Sequence, residues 1–105
     1  MAAWNEGAVL LKGGLIVDGT ASPGKVGDVL LVGERIAAVG PVPAALVGAH
    51  RPQVIDCAGK VVAPGFIDVH THDDAAALEK ADMLPKLSQG VTTVIVGNCG
   101  ISLAP

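Results

Sequence analysis

Two histidines separated by one residue, His70-Thr71-His72, close an apolar run that extends from Val61 to Val69. Neutral imidazole is a common ligand for zinc and other divalent metals. Side chains of an extended strand alternate between its faces with a period of two. If Phe66 to His72 is extended, both imidazoles point the same way, and two histidines on one face make half of a metal site. Asp73 and Asp74 follow as possible oxygen ligands, as partners that orient the imidazoles, or as the acidic opening of a helix. A solvent-facing histidine pair without metal is the plainer alternative, and on the residues alone both readings stand. An apolar strand that ends in His-Thr-His-Asp-Asp delivers polar groups to a surface. In a parallel α/β protein that surface is the carboxyl edge of the sheet, where active sites sit.

The elements that must carry these residues can be read from breaks in pattern. Ala8 to Val17 reads as a strand with a kink or bulge at Gly13-Gly14. Asp18-Gly19-Thr20 and Ser22-Pro23-Gly24 have turn chemistry. Val29 to Val32 and Arg35 to Val39 flank Gly33-Glu34, a two-residue loop suited to a type II′ hairpin. Pro41 to Pro52 reads as an irregular connection or a short helix. Val54 to Asp56 and Lys60 to Ala63 are two further short strands around Ala58-Gly59. Residues 1–64 therefore predict a small antiparallel sheet or half of a sandwich.

The pattern changes at Pro64-Gly65. Phe66 to His70 predicts a strand, and Thr92 to Val96 another. Between them, Ala75 to Ala81 and Met83 to Gln89 have helical composition, with Asp82 as N-cap and Gly90 as a stop. Strand, helix and strand within about thirty residues form a βαβ unit. Its two strands share a carboxyl edge, so Cys99 in Gly97-Asn98-Cys99-Gly100 is expected near His70 and His72. Taken alone, a free cysteine is most often a small buried hydrophobe, the role assigned to Cys57. His50 is expected in solvent.

Composition narrows the classes. The chain has 105 residues, half of them hydrophobic and 16% charged, with a mean hydropathy of +0.56. That is too apolar for disorder. Continuous runs such as Val94-Ile95-Val96 predict strands covered on both faces. The net charge is −3 and the aromatic residues are Trp4 and Phe66, so neither the basic stripe nor the stacking rings of a nucleic-acid binder are present. Met1 to Gly7 lacks a signal-peptide pattern. Ser88 to Pro105 is uncharged but rich in glycine and polar residues, which suits a strand and loop rather than a membrane span. The two cysteines form no Cys-x-x-Cys motif, and free thiols in a reducing, cytoplasmic compartment are expected.

The block Ala63 to Asp74 (APGFIDVHTHDD), with Leu84 to Pro105 (LPKLSQGVTTVIVGNCGISLAP), resembles the N-terminal part of the D-aminoacylases, the N-acyl-D-amino-acid deacylases of the amidohydrolase superfamily. Leu10 to Gly19 and Asp28 to Gly40 resemble the opening strands of that family's small β-domain. The His-x-His signature marks the superfamily. Gly97 to Ser102 narrows the choice, because dihydroorotase- and hydantoinase-like members lack a cysteine ligand there.

The resemblance implies an α/β architecture: a β-domain segment over 1–64, then over 65–105 the first two strands of a (β/α)8 barrel. It implies a Zn2+-dependent hydrolase that cleaves the amide of N-acyl-D-amino acids to a carboxylate and a D-amino acid. Cys99 matches the zinc-binding cysteine, while His70 and His72 match the pair at a second, weaker metal position. A barrel of this kind needs about 200 residues or more. The chain is therefore expected to be a truncated N-terminal fragment, inactive alone. The remaining ligands, the acid/base aspartate and the rest of the barrel are then expected beyond Pro105. Two alternatives remain: a cyclic amidase of the dihydroorotase or hydantoinase type, and a non-catalytic chain that docks on another polypeptide.

Overall fold

The computed structural model describes residues 7–103. Trp4 and the rest of the opening segment before Gly7 lie outside them, as do Ala104 and Pro105. The chain divides into two compact units, Met1–Pro64 and Gly65–Pro105.

The first unit is a five-stranded sheet. Strands β1 (Ala8–Ile16), β2 (Lys25–Val32) and β3 (Arg35–Gly40) form an antiparallel meander. The β2–β3 turn places Gly33 at φ 55° while Glu34 stays at negative φ, the type II′ pattern that matches the twist of a hairpin. The kink at Gly13-Gly14 is a bulge. The β1–β2 register shifts between Leu11 and Gly14, and the Gly13 N–H, turned out of the ladder, donates to the Asp28 carboxylate at 2.8 Å. Gly13 sits at φ 72°, a conformation that glycine enters without a steric penalty.

The expected antiparallel arrangement fails for the last two strands. Helix α1 (Ala44–His50) carries the chain from β3 to the far edge of β1, where β4 (Gln53–Asp56) and β5 (Val61–Val62) both run parallel to it. Short turns fix a reversal of direction, but a connection long enough to hold a helix does not. Strands β4 and β5 behave as one interrupted strand. The Cys57 N–H donates to the Lys12 carbonyl at 2.8 Å and the Leu15 N–H to the Lys60 carbonyl at 2.9 Å, so pairing with β1 continues around the turn.

Ala8, Leu10 and fully buried Leu30 form the core, with Val32, Ala38 and, from α1, Leu46 and Val47 packed against them. On the other face Leu11, Val29, Leu31, Ile36 and Val39 line an apolar groove of about 220 Å³. Apolar residues on both faces account for the unbroken Val/Leu runs of β1 and β2. Cys57 is buried, as expected, and His50 is exposed in the last turn of α1.

The second unit is a βαβ segment. Strands β6 (Phe66–Asp68) and β7 (Val91–Val94) pair in parallel, with α2 (Asp74–Glu79) and α3 (Leu84–Leu87) between them. Both strands are shorter than expected. Asp82 is not the N-cap. Met83 holds that place at φ 45°, and the Asp82 carboxylate only accepts a long 3.4 Å bond from the Leu84 N–H. Helix α3 ends with Ser88 as its C-cap, and Gly90, at φ 80°, closes the turn that follows it. The strands are partly uncovered, since covering on both faces is expected of a complete barrel and not of this chain alone: Phe66 is 65% exposed, Ile67 58% and Ile95, just past β7, 43%. Helices of six and four residues bury none of their own side chains and are too short to cover a sheet face.

Candidate metal centre

The site is built where β6 ends. Its ladder with β7 stops being regular after Asp68. The Ile95 N–H donates to the Asp68 carbonyl at 2.8 Å, and the Ile95 carbonyl accepts from the Thr71 N–H at 3.2 Å. In a regular parallel ladder that second donor is residue 70. One residue too many lies between the two bonds, which makes a local bulge. His70 is the displaced residue, and its N–H turns to the Asp68 carboxylate at 3.2 Å. His70-Thr71-His72 is therefore not the continuous strand that period-two alternation assumed. Alternation survives in exposure: Thr71 is buried while both histidines face solvent.

The loop after β7 brings the thiol. The Asn98 side-chain amide donates to the Val69 carbonyl, and the Leu103 N–H donates to the Asp74 carboxylate at 2.7 Å. These bonds tie the 97–103 loop to the 69–74 segment. Between them Cys99 Sγ lies 2.7 Å from His70 Nε2, and the two imidazole centroids are 6.0 Å apart. One ligand atom from each of His70, His72 and Cys99 falls within 4.8 Å of the others, and all three residues are exposed. The three residues singled out by sequence thus come together. Asp73 and Asp74 do not join them: Asp73 is the N-cap of α2 and Asp74 lies in its first turn.

Sulfur and imidazole nitrogen are the donor set zinc prefers, at about 2.3 Å and 2.0–2.1 Å from the ion. Two such donors on one tetrahedral ion stand about 3.6 Å apart. His70 and Cys99 would separate by about an ångström to hold it, which exposed side chains do by rotation. The donor chemistry and the spacing both fit a metal.

A charged group on the residues flanking the histidines has no spacing signal in the sequence. Lys86 Nζ, from α3, is 2.6 Å from Asp68 Oδ2 and 2.9 Å from Asp73 Oδ2, with Thr71 Oγ1 at 3.5 Å. The Lys86 hydrogen bond, and then the His70 N–H, hold the Asp68 carboxyl below its ordinary range. Asp73 is lowered first by the Thr71 hydroxyl and then by Lys86. The two carboxylates in turn raise the Lys86 ammonium, Asp68 more than Asp73. All three groups are therefore held charged at neutral pH.

The parallel βαβ edge thus carries two imidazoles and a thiol at its carboxyl end, and comparison with known proteins finds relatives of known kind. The amidohydrolase family model matches residues 53–104. A D-aminoacylase from Alcaligenes xylosoxydans xylosoxydans is 56% identical over 97 residues, covering 92% of this chain and 19% of that protein. A solved D-aminoacylase, described for its binuclear metal center, superposes with a TM-score of 0.81 at 57% identity, covering 92% of this chain and 20% of the other. An N-acyl-D-glutamate deacylase from Bordetella bronchiseptica, complexed with zinc and a phosphonate inhibitor, gives 0.78 at 50% identity with the same coverage. The chain is thus a homologue of D-aminoacylases and N-acyl-D-glutamate deacylases with a match to the amidohydrolase family model, and it spans about a fifth of the length of the relatives it matches.

Proposed function

We propose that this chain is the N-terminal part of a zinc-dependent amidohydrolase that hydrolyses N-acyl-D-amino acids. Residues 1–64 serve as a segment of its small β-domain. Residues 65–105 serve as the opening βαβ unit of its (β/α)8 barrel. The observation that carries the reading is the convergence of His70, His72 and Cys99 within 4.8 Å at the carboxyl end of a parallel strand pair. Likeness to deacylases that differ in substrate side chain supports the acyl-D-amino acid class.

In this reading Cys99 is the anchoring ligand, because a thiolate binds zinc firmly, and His70 and His72 contribute to an adjoining second position. A metal bound there supplies Lewis acidity and a water that is acidic near neutral pH. The proton for the leaving amine comes from a carboxylate outside these 105 residues, because Asp68 and Asp73, the acids flanking the histidines, are committed to Lys86. The protein is assigned to the reducing cytoplasm, in which Cys57 and Cys99 remain thiols. Among the described residues no helix is long and apolar enough to cross a membrane.

The test is a paired assay of the complete enzyme carrying this segment, with an N-acyl-D-amino acid and a cyclic ureide as rival substrates. Chelator-sensitive release of the D-amino acid is expected. Turnover of the ureide alone would replace this reading with a cyclic amidase, and no turnover of either would favour the non-catalytic alternative.

A further inference from the structure

We propose that Lys86 is a positioning residue of the metal centre: its ammonium holds both ends of the histidine segment and so sets the spacing of the donors. The inference rests on the reading of His70, His72 and Cys99 as metal ligands, and goes beyond it to a residue on another element.

The argument is geometric. Asp68 precedes the His70–His72 segment and Asp73 follows it. One cation joins them, 2.6 Å from the first and 2.9 Å from the second, with the hydroxyl of Thr71, the residue between the histidines, at 3.5 Å. The ammonium donates hydrogen bonds to Asp68 and, at the long limit, to Thr71, while the buried Asp73 Oδ2, which has no hydrogen-bond partner of good geometry, stands at ion-pair distance from it. Asp68 uses its second oxygen on the His70 N–H, so the bridge reaches the backbone of a ligand directly. Thr71, 8% exposed, is the sole buried residue of its unit among those described. The segment thus has polar anchoring where an apolar core would otherwise fix it.

Exposed ion pairs usually contribute little to stability. Their effect on position is a separate matter. Outer partners of metal ligands, when removed, typically lower metal affinity by 10–100-fold. Lys86 has a second effect. Without it two carboxylates face each other uncompensated, repel, and become free hard-oxygen donors beside a nitrogen and sulfur site. The loss of one lysine then loosens the donor set and adds competitors to it.

The experiment uses the complete enzyme carrying this segment, with Co2+ as a spectroscopic stand-in for zinc. Titration is followed by the thiolate-to-cobalt charge-transfer band, with Cys99→Ser as the control that must abolish it. Zinc affinity is measured in parallel by chelator competition. Lys86→Met should weaken binding of both ions by about 10–100-fold while the band per bound cobalt persists, because Cys99 still ligates. Lys86→Arg should recover part of that loss. Equal affinity of Lys86→Met and the unaltered enzyme would overturn the proposal and leave the metal site standing. Equal losses in Lys86→Met and Lys86→Arg would overturn it too, as the sign of a packing effect rather than a charge bridge. If Lys86→Met does not fold, Asp73→Asn, which weakens one arm alone, must itself lower affinity severalfold, and an unchanged value overturns the proposal. An unaltered enzyme that shows no cobalt–thiolate band would overturn both the metal reading and this one.

Discussion

Cys99 supplies the one sulfur of the cluster, so its removal should separate the ligands by importance. Cys99→Ala should lower zinc affinity by more than about a hundredfold, beyond the loss expected for an outer partner, and should abolish the cobalt charge-transfer band. His70→Ala and His72→Ala should each retain that band with a smaller fall in affinity. Chelator competition ranks the three variants, and a histidine variant weaker than Cys99→Ala would reverse the assignment of the anchor. A second test at this scale lies in the first unit. The Thr20 backbone N–H, at 3.0 Å, and then its hydroxyl, at 2.7 Å, hold the Asp18 carboxyl below its ordinary value. A depressed folded-state value means that the turn's contribution is present above the ordinary aspartate range. It is lost as pH falls through the lowered value. Thr20→Val removes the hydroxyl and keeps the N–H, so the Asp18 midpoint, followed by carboxyl NMR, should move part of the way back up. The histidine pair was legible in the sequence from local signals, a strand end and its donor types, and the shared strand edge placed Cys99 near it, but Cys99 as a ligand candidate rested on the family resemblance. Lys86 was not, because its partners Asp68 and Asp73 lie 18 and 13 positions away on other elements and no periodicity links them.

Among the elements, the approach of β6 to β7 has a sharp steric condition. A Cβ at Gly65 would fall 2.1 Å from Thr92 Oγ1 and 2.7 Å from Thr92 Cβ. Thr92 is the extra residue of the register shift that pairs Phe66 with Val91 but Ile67 with Thr93. Gly65→Ala should therefore push β6 away from β7 and destabilise the pair by about 1–3 kcal/mol, the usual range for overpacking. The added substitution Thr92→Gly should restore part of it. Denaturant unfolding of single and double variants in a two-way cycle reads this, and strictly additive losses would mean that the two positions do not meet. Here the sequence was readable in part. Turn residues located β1, β2, β3 and the break at Pro64-Gly65. The parallel course of β4 and β5 was hidden, because the helix that reverses the expected direction sits in a stretch of alanine, glycine and proline with little pattern. The alternation argument for His70 and His72 reached the right neighbours through an incomplete picture. It could not see the bulge, which depends on hydrogen bonds from Ile95, a residue 25 positions beyond His70.

For the molecule as a whole, apolar burial is uneven. Every buried hydrophobic residue among those described, from Ala8 to Cys57, lies in the first unit. Amide hydrogen exchange should follow this division. The β1 and β2 amides around Leu10 and Leu30 should exchange through global opening, and those of β6 and β7 through smaller local openings at least tenfold faster. Equal protection across both units would contradict it. The order of the sheet also has a bearing on time. Strand β1 leaves the ribosome before its four partners in the sheet yet lies inside it, and the edge it offers to β4 and β5 stays open until residues about 45 positions later arrive. Contacts of that sequence separation slow folding and leave an unpaired edge waiting. A nascent chain halted after Arg51 should thus show only fluctuating structure, and one halted after Pro64 should resist a protease. Strand β1 is a template that synthesis leaves half-used for most of the first unit.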